Sequence, residues 1–317
     1  VEARVAAVFS NYYVMKLLRR PACPPGVINF VPGRGGEVGD PVMASEDLAG
    51  VHFTGSTAVF QGMWKTDRRQ HRKYGCYPRI VGETGGKDFV FAHPSADVDA
   101  LVTALVRGAF EYQGQKCSAA SRAYIPQSLW ERGQEEAAGA GRDHQDGRRP
   151  TDFRNFMGAV IDKPALRHDQ GLHRPRQEGQ GSGQDPRRRR CDDSKGYFIE
   201  PTVIECHDPN YETMVEEIFG PVLTSTSTRR SRPSKTLKIC DTTSAYALTG
   251  AIFAQDRGRD RGDADALLRT RRQLLHQRQA DRRGGRPAAL RRLAGLGHQR
   301  QGRQLPEPDA LGVARAR

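Results

Sequence analysis

The segment Gly114-Gln115-Lys116-Cys117-Ser118-Ala119-Ala120-Ser121-Arg122 constrains this chain more than any other. It sets a cysteine in a loop of small residues. Upstream lies a glycine-rich loop, Gly82-Glu83-Thr84-Gly85-Gly86-Lys87, that carries a glutamate. A cysteine by itself is most often a small buried apolar residue. A cysteine and a carboxylate on two such loops suit covalent chemistry on a carbonyl. The thiolate attacks, a thioester follows, and the carboxylate activates the water that hydrolyses it. A fold that uses this pair has to bring the two loops together. The chain between them supplies the means: Val98, Leu101, Val102, Leu105 and Val106 have helical spacing. That spacing predicts a helix that runs into the Cys117 loop. Ala123–Ile125 then reads as a strand. No neighbour in the sequence explains how the thiol is ionised.

Segment 10–60 has the pattern of the later half of a dinucleotide-binding domain. Asn11–Leu18 is compatible with a helix, Val27–Val31 with a strand and Val51–Thr54 with a second short strand, after which Gly55-Ser56 opens another helix. Small residues at such a turn let a helix N-terminus approach a phosphate. An ordinary strand-to-helix turn accounts for the same residues. Lys87, beside two glycines, has the setting of a surface charge. His52, His71 and His93 show no partner pattern and fit structural or surface positions. Cysteines 23, 76, 117, 191, 206 and 240 show neither disulfide-framework nor metal-ligand spacing. Reduced thiols and no metal are the expectation.

Together the motifs resemble the aldehyde dehydrogenase family. Val51-His52-Phe53-Thr54-Gly55-Ser56-Thr57 looks like its cofactor loop, and Glu216-Glu217-Ile218-Phe219-Gly220-Pro221-Val222 like the segment that holds the nicotinamide ribose. Three flanking stretches, 10–16, 24–33 and 109–115, narrow the resemblance to the eukaryotic branch that oxidises L-glutamate gamma-semialdehyde. Similarity covers 5–65, 73–130, 151–162, 191–223 and 235–257. The resemblance implies an α/β fold, with a partial Rossmann-type NAD-binding domain over 1–82 and an α/β catalytic domain over 83–256. It implies NAD as cofactor and a small-molecule aldehyde as substrate, oxidised in proline breakdown. Cys117 is the implied nucleophile and Glu83 the implied base. Gly55, Ser56, Glu217 and Phe219 are implied in cofactor binding, and Ser118 in holding the substrate carboxylate. A solvated Glu217 and a core Phe219 are the plain alternatives. For Lys87 the resemblance implies a structural role in the catalytic loop. The family departs from the usual GxGxxG fingerprint, so its absence here is consistent with NAD. The intact family forms homo-oligomers, which is doubtful for this chain. The eukaryotic form is placed in the mitochondrial matrix, although no targeting segment is visible. The family also draws an oxyanion-stabilising Asn from a segment that precedes residue 1 here. Losing one such donor costs about 10²–10³ in turnover.

The formal charge of +13 suggests nucleic acid at first sight. Its distribution points elsewhere. Residues 257–317 hold 16 Arg, no Lys and 6 acidic residues, and 163–195 hold 9 basic against 5 acidic. The remainder is close to neutral, as on an ordinary enzyme surface, so no nucleic-acid partner is expected. No apolar run reaches the roughly 18 residues of a membrane span, so no membrane partner is expected either.

Those charged segments differ from the rest in composition. No Lys follows Lys238, no Tyr follows Tyr246, no Ile follows Ile252 and no Phe follows Phe253. Codons chosen for 273–279 and 286–292, read in a shifted frame, return text like the family's C-terminal strand and its Pro-Phe-Gly-Gly hallmark. Segments 132–150 and 163–190 read as displaced in the same way, and the Arg187–Arg190 run falls inside the second. These two segments and 257–317 are expected to be out-of-frame translation, the last of them a disordered tail.

Overall fold

A computed structural model describes residues 7–19, 23–130, 152, 155–171, 191–228, 233–246, 248–256 and 273–276. The expectations for 1–6, 132–150, 172–190, 257–272 and 277–317 lie outside the described residues. The chain divides into two compact units, one up to Glu83 and one from Thr84 onward.

The first unit contains α1 (Val8–Arg19), α2 (Gly35–Ala44), β1 (Gly50–Thr54), α3 (Thr57–Gln70) and β2 (Arg79–Glu83). β1 and β2 pair in parallel, with Thr54 opposite Glu83. α3 joins them as a β-α-β connection, which parallel strands require. Ser56 starts that helix: its hydroxyl accepts a hydrogen bond from the Val59 amide at 3.3 Å. This satisfies one of the otherwise unbonded first-turn donors. A small cluster of Met43, Leu48 and Tyr74 forms the apolar centre, and the Tyr74 hydroxyl donates to the Met43 carbonyl at 2.7 Å.

The expected strand over Val27–Val31 does not form. These residues make a turn followed by irregular backbone, and Val27 and Val31 are exposed. β-branched residues favour a strand only where a neighbouring strand supplies a ladder and a packing surface. Among the described residues β1 and β2 pair only with each other, and 27–31 joins neither.

The second unit is built on a six-stranded parallel sheet in the order β10-β9-β3-β4-β8-β7. In chain order the strands are β3 (Asp88–Ala92), β4 (Ala120–Pro126), β7 (Thr202–Glu205), β8 (Val222–Thr228), β9 (Thr249–Phe253) and β10 (Gln273–His276). A short antiparallel pair, β5 (Cys191–Asp192) and β6 (Phe198–Ile199), stands apart from it. Among the described residues the unit also holds helices α4 (Val98–Phe110), α5 (Lys163–Gly171), α6 (Glu212–Val215) and α7 (Pro233–Thr242), and 127–130 are helical. β3 is buried at every position, as expected of a central parallel strand covered on both faces. α4 forms as its spacing predicts. Asp97 caps it by accepting the Ala100 amide at 2.8 Å. Leu101, Leu105, Ala109 and Phe110 pack with Val90, Ala123 and Ala251 of the sheet.

Two expected out-of-frame segments contain described structure. Residues 163–171 form α5, whose Leu166 packs with Val160 and Ile199. Residues 273–276 form β10, in parallel register with β9, where a disordered tail was expected. A parallel edge offers backbone donors and acceptors to any extended segment, whatever its side chains.

Candidate active site

Three loops of the second unit converge: 84–87 between β2 and β3, 111–119 between α4 and β4, and 216–221 before β8. Each pair of loops touches through one glycine. A Cβ on Gly86 would collide with the Cys117 carbonyl oxygen. A Cβ on Gly85 would fall 2.5 Å from Glu217 Oε2 and 2.7 Å from the Tyr246 ring. A Cβ on Gly114 would collide with the Gly220 carbonyl oxygen, and Gly114 also stands at φ +67. The glycines therefore fix how close the backbones come.

The same loops hold the left-handed backbone of the site. Lys87 has φ 44, Tyr112 φ 56, Gln113 φ 58 and Phe219 φ 59. Such residues cost of order 1–3 kcal/mol each and persist only where the surroundings over-determine them. Gln113 shows how. Its side-chain amide donates to the Ala159 carbonyl at 2.8 Å and accepts from the Gly158 amide at 3.0 Å. Gln115 accepts from the Ile161 amide at 2.8 Å. Glu111 receives Arg107 at 3.0 Å and Lys116 at 2.9 Å, tying the end of α4 to the residue before Cys117. This scaffold was not foreseen from the sequence, because its partners lie far along the chain. The clustered glycines were the available signal.

Cys117 is half-buried and carries no disulfide. Ser118 beside it is buried. Glu217 is half-buried, and its Oε1 accepts the Gly86 amide at 2.8 Å. Burial pushes its carboxyl above the ordinary carboxylate range, against the pull of the Gly86 amide, the Lys87 ammonium and the Lys87 amide. Phe219 is 42% exposed, which removes the alternative of a core residue.

Lys87 is not a surface charge, as its setting suggested: it is 1% exposed. Among the described residues its ammonium finds no hydrogen-bond acceptor. Burial, and then the nearby Arg122, lower its pKa to about 7, although Glu217, Glu216 and Asp88 oppose the shift. Arg122 is fully buried, donates to the Lys87 carbonyl and the Tyr124 hydroxyl at 3.1 Å each, and lies over the Phe89 and Tyr124 rings. Its position was not anticipated either.

In the first unit, Gly55, Ser56 and Glu83 gather at the carboxyl ends of β1 and β2. The Gly55 amide donates to the Glu83 carbonyl at 3.1 Å. The carboxyl ends of parallel strands, next to a helix N-terminus, are where α/β folds accept nucleotides. The histidines bind locally: His71 Nδ1 lies 2.8 Å from the Arg68 carbonyl, and His93 Nδ1 lies 2.9 Å from Ser95 Oγ. Among the described residues no group of three His, Cys, Asp or Glu is placed to hold a metal. No described helix is long and apolar enough to cross a membrane.

The glycine-joined loops around a cysteine, on a parallel α/β scaffold, match a known family. Residues 3–267 match the aldehyde dehydrogenase family, and the chain belongs to it. More particularly, it is 48% identical over 258 residues to the mitochondrial delta-1-pyrroline-5-carboxylate dehydrogenase of Dictyostelium discoideum, covering 79% of this chain and 45% of that one. The crystal structure of the corresponding Mycobacterium tuberculosis enzyme superposes with a TM-score of 0.83 at 39% identity, covering 93% of this chain and 53% of that one. A structure of the same mycobacterial enzyme bound with NAD gives a TM-score of 0.80 over 95% of this chain and 52% of that one, again at 39% identity. The chain spans about half the length of the curated relatives it matches. The fold is that of an aldehyde dehydrogenase.

Proposed function

We propose that this chain carries the nucleophile and base of an NAD-dependent dehydrogenase. Its substrate is L-glutamate gamma-semialdehyde, the open form of 1-pyrroline-5-carboxylate, and its product is L-glutamate. The observation that carries this reading is the packing of Gly86 on the Cys117 carbonyl, which joins the loop following Glu83 to the nucleophile loop. The names of the relatives support the substrate.

The Cys117 thiolate adds to the aldehyde carbon and forms a thiohemiacetal. The carbon then gives up a hydride, for which NAD is the acceptor when bound, and a thioester to Cys117 remains. Glu83 takes a proton from water, the water oxygen displaces the thiolate, and L-glutamate leaves. Ser118 donates to the substrate carboxylate. The residues present fit NAD. α3 opens at Ser56 with its N-terminus beside the ends of β1 and β2, Glu217 offers a carboxylate, and Phe219 presents an exposed ring. Gly55 and Ser56 would take the phosphates, and Glu217 and Phe219 the nicotinamide riboside.

The names of several relatives support a mitochondrial location. An inactive member of the lineage is the second reading. It is favoured by the absence of Phe, Tyr, Ile and Lys from the Arg-rich segment after 257. NADH formation by the purified chain, supplied with the semialdehyde, decides between them. Turnover that disappears in Cys117→Ala supports the first reading; no NADH above the blank supports the second.

A further inference from the structure

We infer that Glu217 is a positioning residue for the nucleophile loop, separately from any contact it makes with a cofactor. Its Oε1 accepts the Gly86 amide at 2.8 Å. A backbone amide bonded to a carboxylate makes a charge-assisted hydrogen bond, stronger than a neutral one. That bond fixes the backbone at Gly86. Gly86 in turn lies so close to the Cys117 carbonyl that no side chain fits between them. Glu217 therefore acts on Cys117 through a single glycine, across 131 residues of sequence from Gly86.

The hydrogen bond, rather than the charge, does the positioning. Lys87 adds attraction to the carboxylate, yet it is buried beside Arg122, and among the described residues its own ammonium has no hydrogen-bond acceptor. The Gly86 amide has a defined direction and length, and Gly85 leaves room for the carboxylate only because it lacks a Cβ. Shortening the side chain by one methylene withdraws the acceptor but keeps the charge. Exchanging the carboxylate for an amide keeps an acceptor oxygen and removes the charge. The role rests on Cys117 as the attacking thiol, but its test needs neither aldehyde nor cofactor.

The experiment measures alkylation of Cys117 by iodoacetamide in the cofactor-free full chain, followed by peptide mass spectrometry, with Cys23 and Cys76 as internal references. The proteins are wild type, Glu217→Gln, Glu217→Asp and Glu217→Ala. Hydrogen exchange of a peptide spanning 84–87 is read in parallel. The expected result is that Asp and Ala change the Cys117 rate by about tenfold or more, while Gln stays within about twofold of wild type. Exchange at Gly86 should rise with Asp and Ala and remain low with Gln. Equal Cys117 rates in all four proteins would overturn the inference. So would a rate altered equally by Gln and Asp, which would assign the effect to charge. If Glu217→Ala does not fold, the Gln-against-Asp comparison still decides. A failed dehydrogenase assay leaves this result intact, so the two proposals fail separately.

Discussion

β3 and β1 are similar segments with different fates. Phe89, Val90 and Phe91 in β3 are buried, whereas β1, with Val51 and Phe53, is only half-covered and leaves His52 and Thr54 exposed. The difference lies in neighbours. β3 runs between β9 and β4 with α4 packed on it, while β1 pairs with β2 alone among the described residues. The same contrast holds for helices. α4 buries most of its apolar side chains, whereas α1 buries Met15 and leaves Phe9, Tyr12, Tyr13, Val14 and Leu17 exposed. A β-α-β pattern specifies the local elements, but burial depends on how many elements are stacked. The rigid cradle around Cys117 belongs to the unit with the stack.

The comparison breaks most sharply on chemistry. Cys117→Ala should abolish NADH formation while leaving NAD affinity, measured by calorimetry, close to wild type, because Gly55 and Ser56, proposed to take the phosphates, belong to the first unit. Loss of both together would mean that the units do not work separately. Glu83→Gln should leave a burst of NADH followed by slow turnover, since water activation comes after hydride loss. Equal loss of burst and steady state would make Glu83 structural.

Next in size is the electrostatic penalty inside the second unit. Lys87 ionises near 7 in the folded chain against 10.5 ordinarily. Below pH 7 the folded state has to bury the charge, so the penalty is complete there. Between pH 7 and about 10.5 the unfolded chain holds more protons, stability rises with pH, and the penalty fades. Lys87→Met should therefore stabilise the chain at pH 6 by up to about 5 kcal/mol, and the gain should vanish near pH 10. Urea unfolding at pH 6, 8 and 10 checks this, and a gain that grew with pH would contradict the assignment.

The contrast in packing sharpens with a matched pair. Phe110→Ala in α4 should cost about 3–5 kcal/mol. Phe60→Ala in α3 should cost less: Phe60 is buried, but it rests on the half-covered Phe53. Equal costs in denaturant unfolding would erase the distinction between the units. The smallest effect is at the helix start. Ser56→Ala should cost about 1 kcal/mol and raise amide exchange only in the first turn of α3.

The legible parts of this molecule were local. Cys117 and Glu83 drew attention as a thiol and a carboxylate in two small-residue loops, and their roles remain proposals. α4 could be read from its spacing, and the Ser56 turn from its small residues. Val27–Val31 had the composition of a strand but no partner to pair with, and composition does not report partners. Lys87 looked like a surface charge because nothing nearby in sequence reveals that Arg122 and Glu217 lie beside it. Gln113 could not be read at all, since its two hydrogen bonds reach 158 and 159.

The three glycine contacts also determine which positions can change. Gly86 and Gly114 are joints at which backbone meets backbone, and Gly85 is one at which backbone meets the Glu217 and Tyr246 side chains, so even a methyl group there disturbs a loop contact. Ser118 and Phe219 project from the same loops without making those joints. A library meant to alter the proposed aldehyde selectivity should vary position 118 and leave 85, 86 and 114 untouched. Selectivity could then drift in such a lineage while the backbone around Cys117 stays constant.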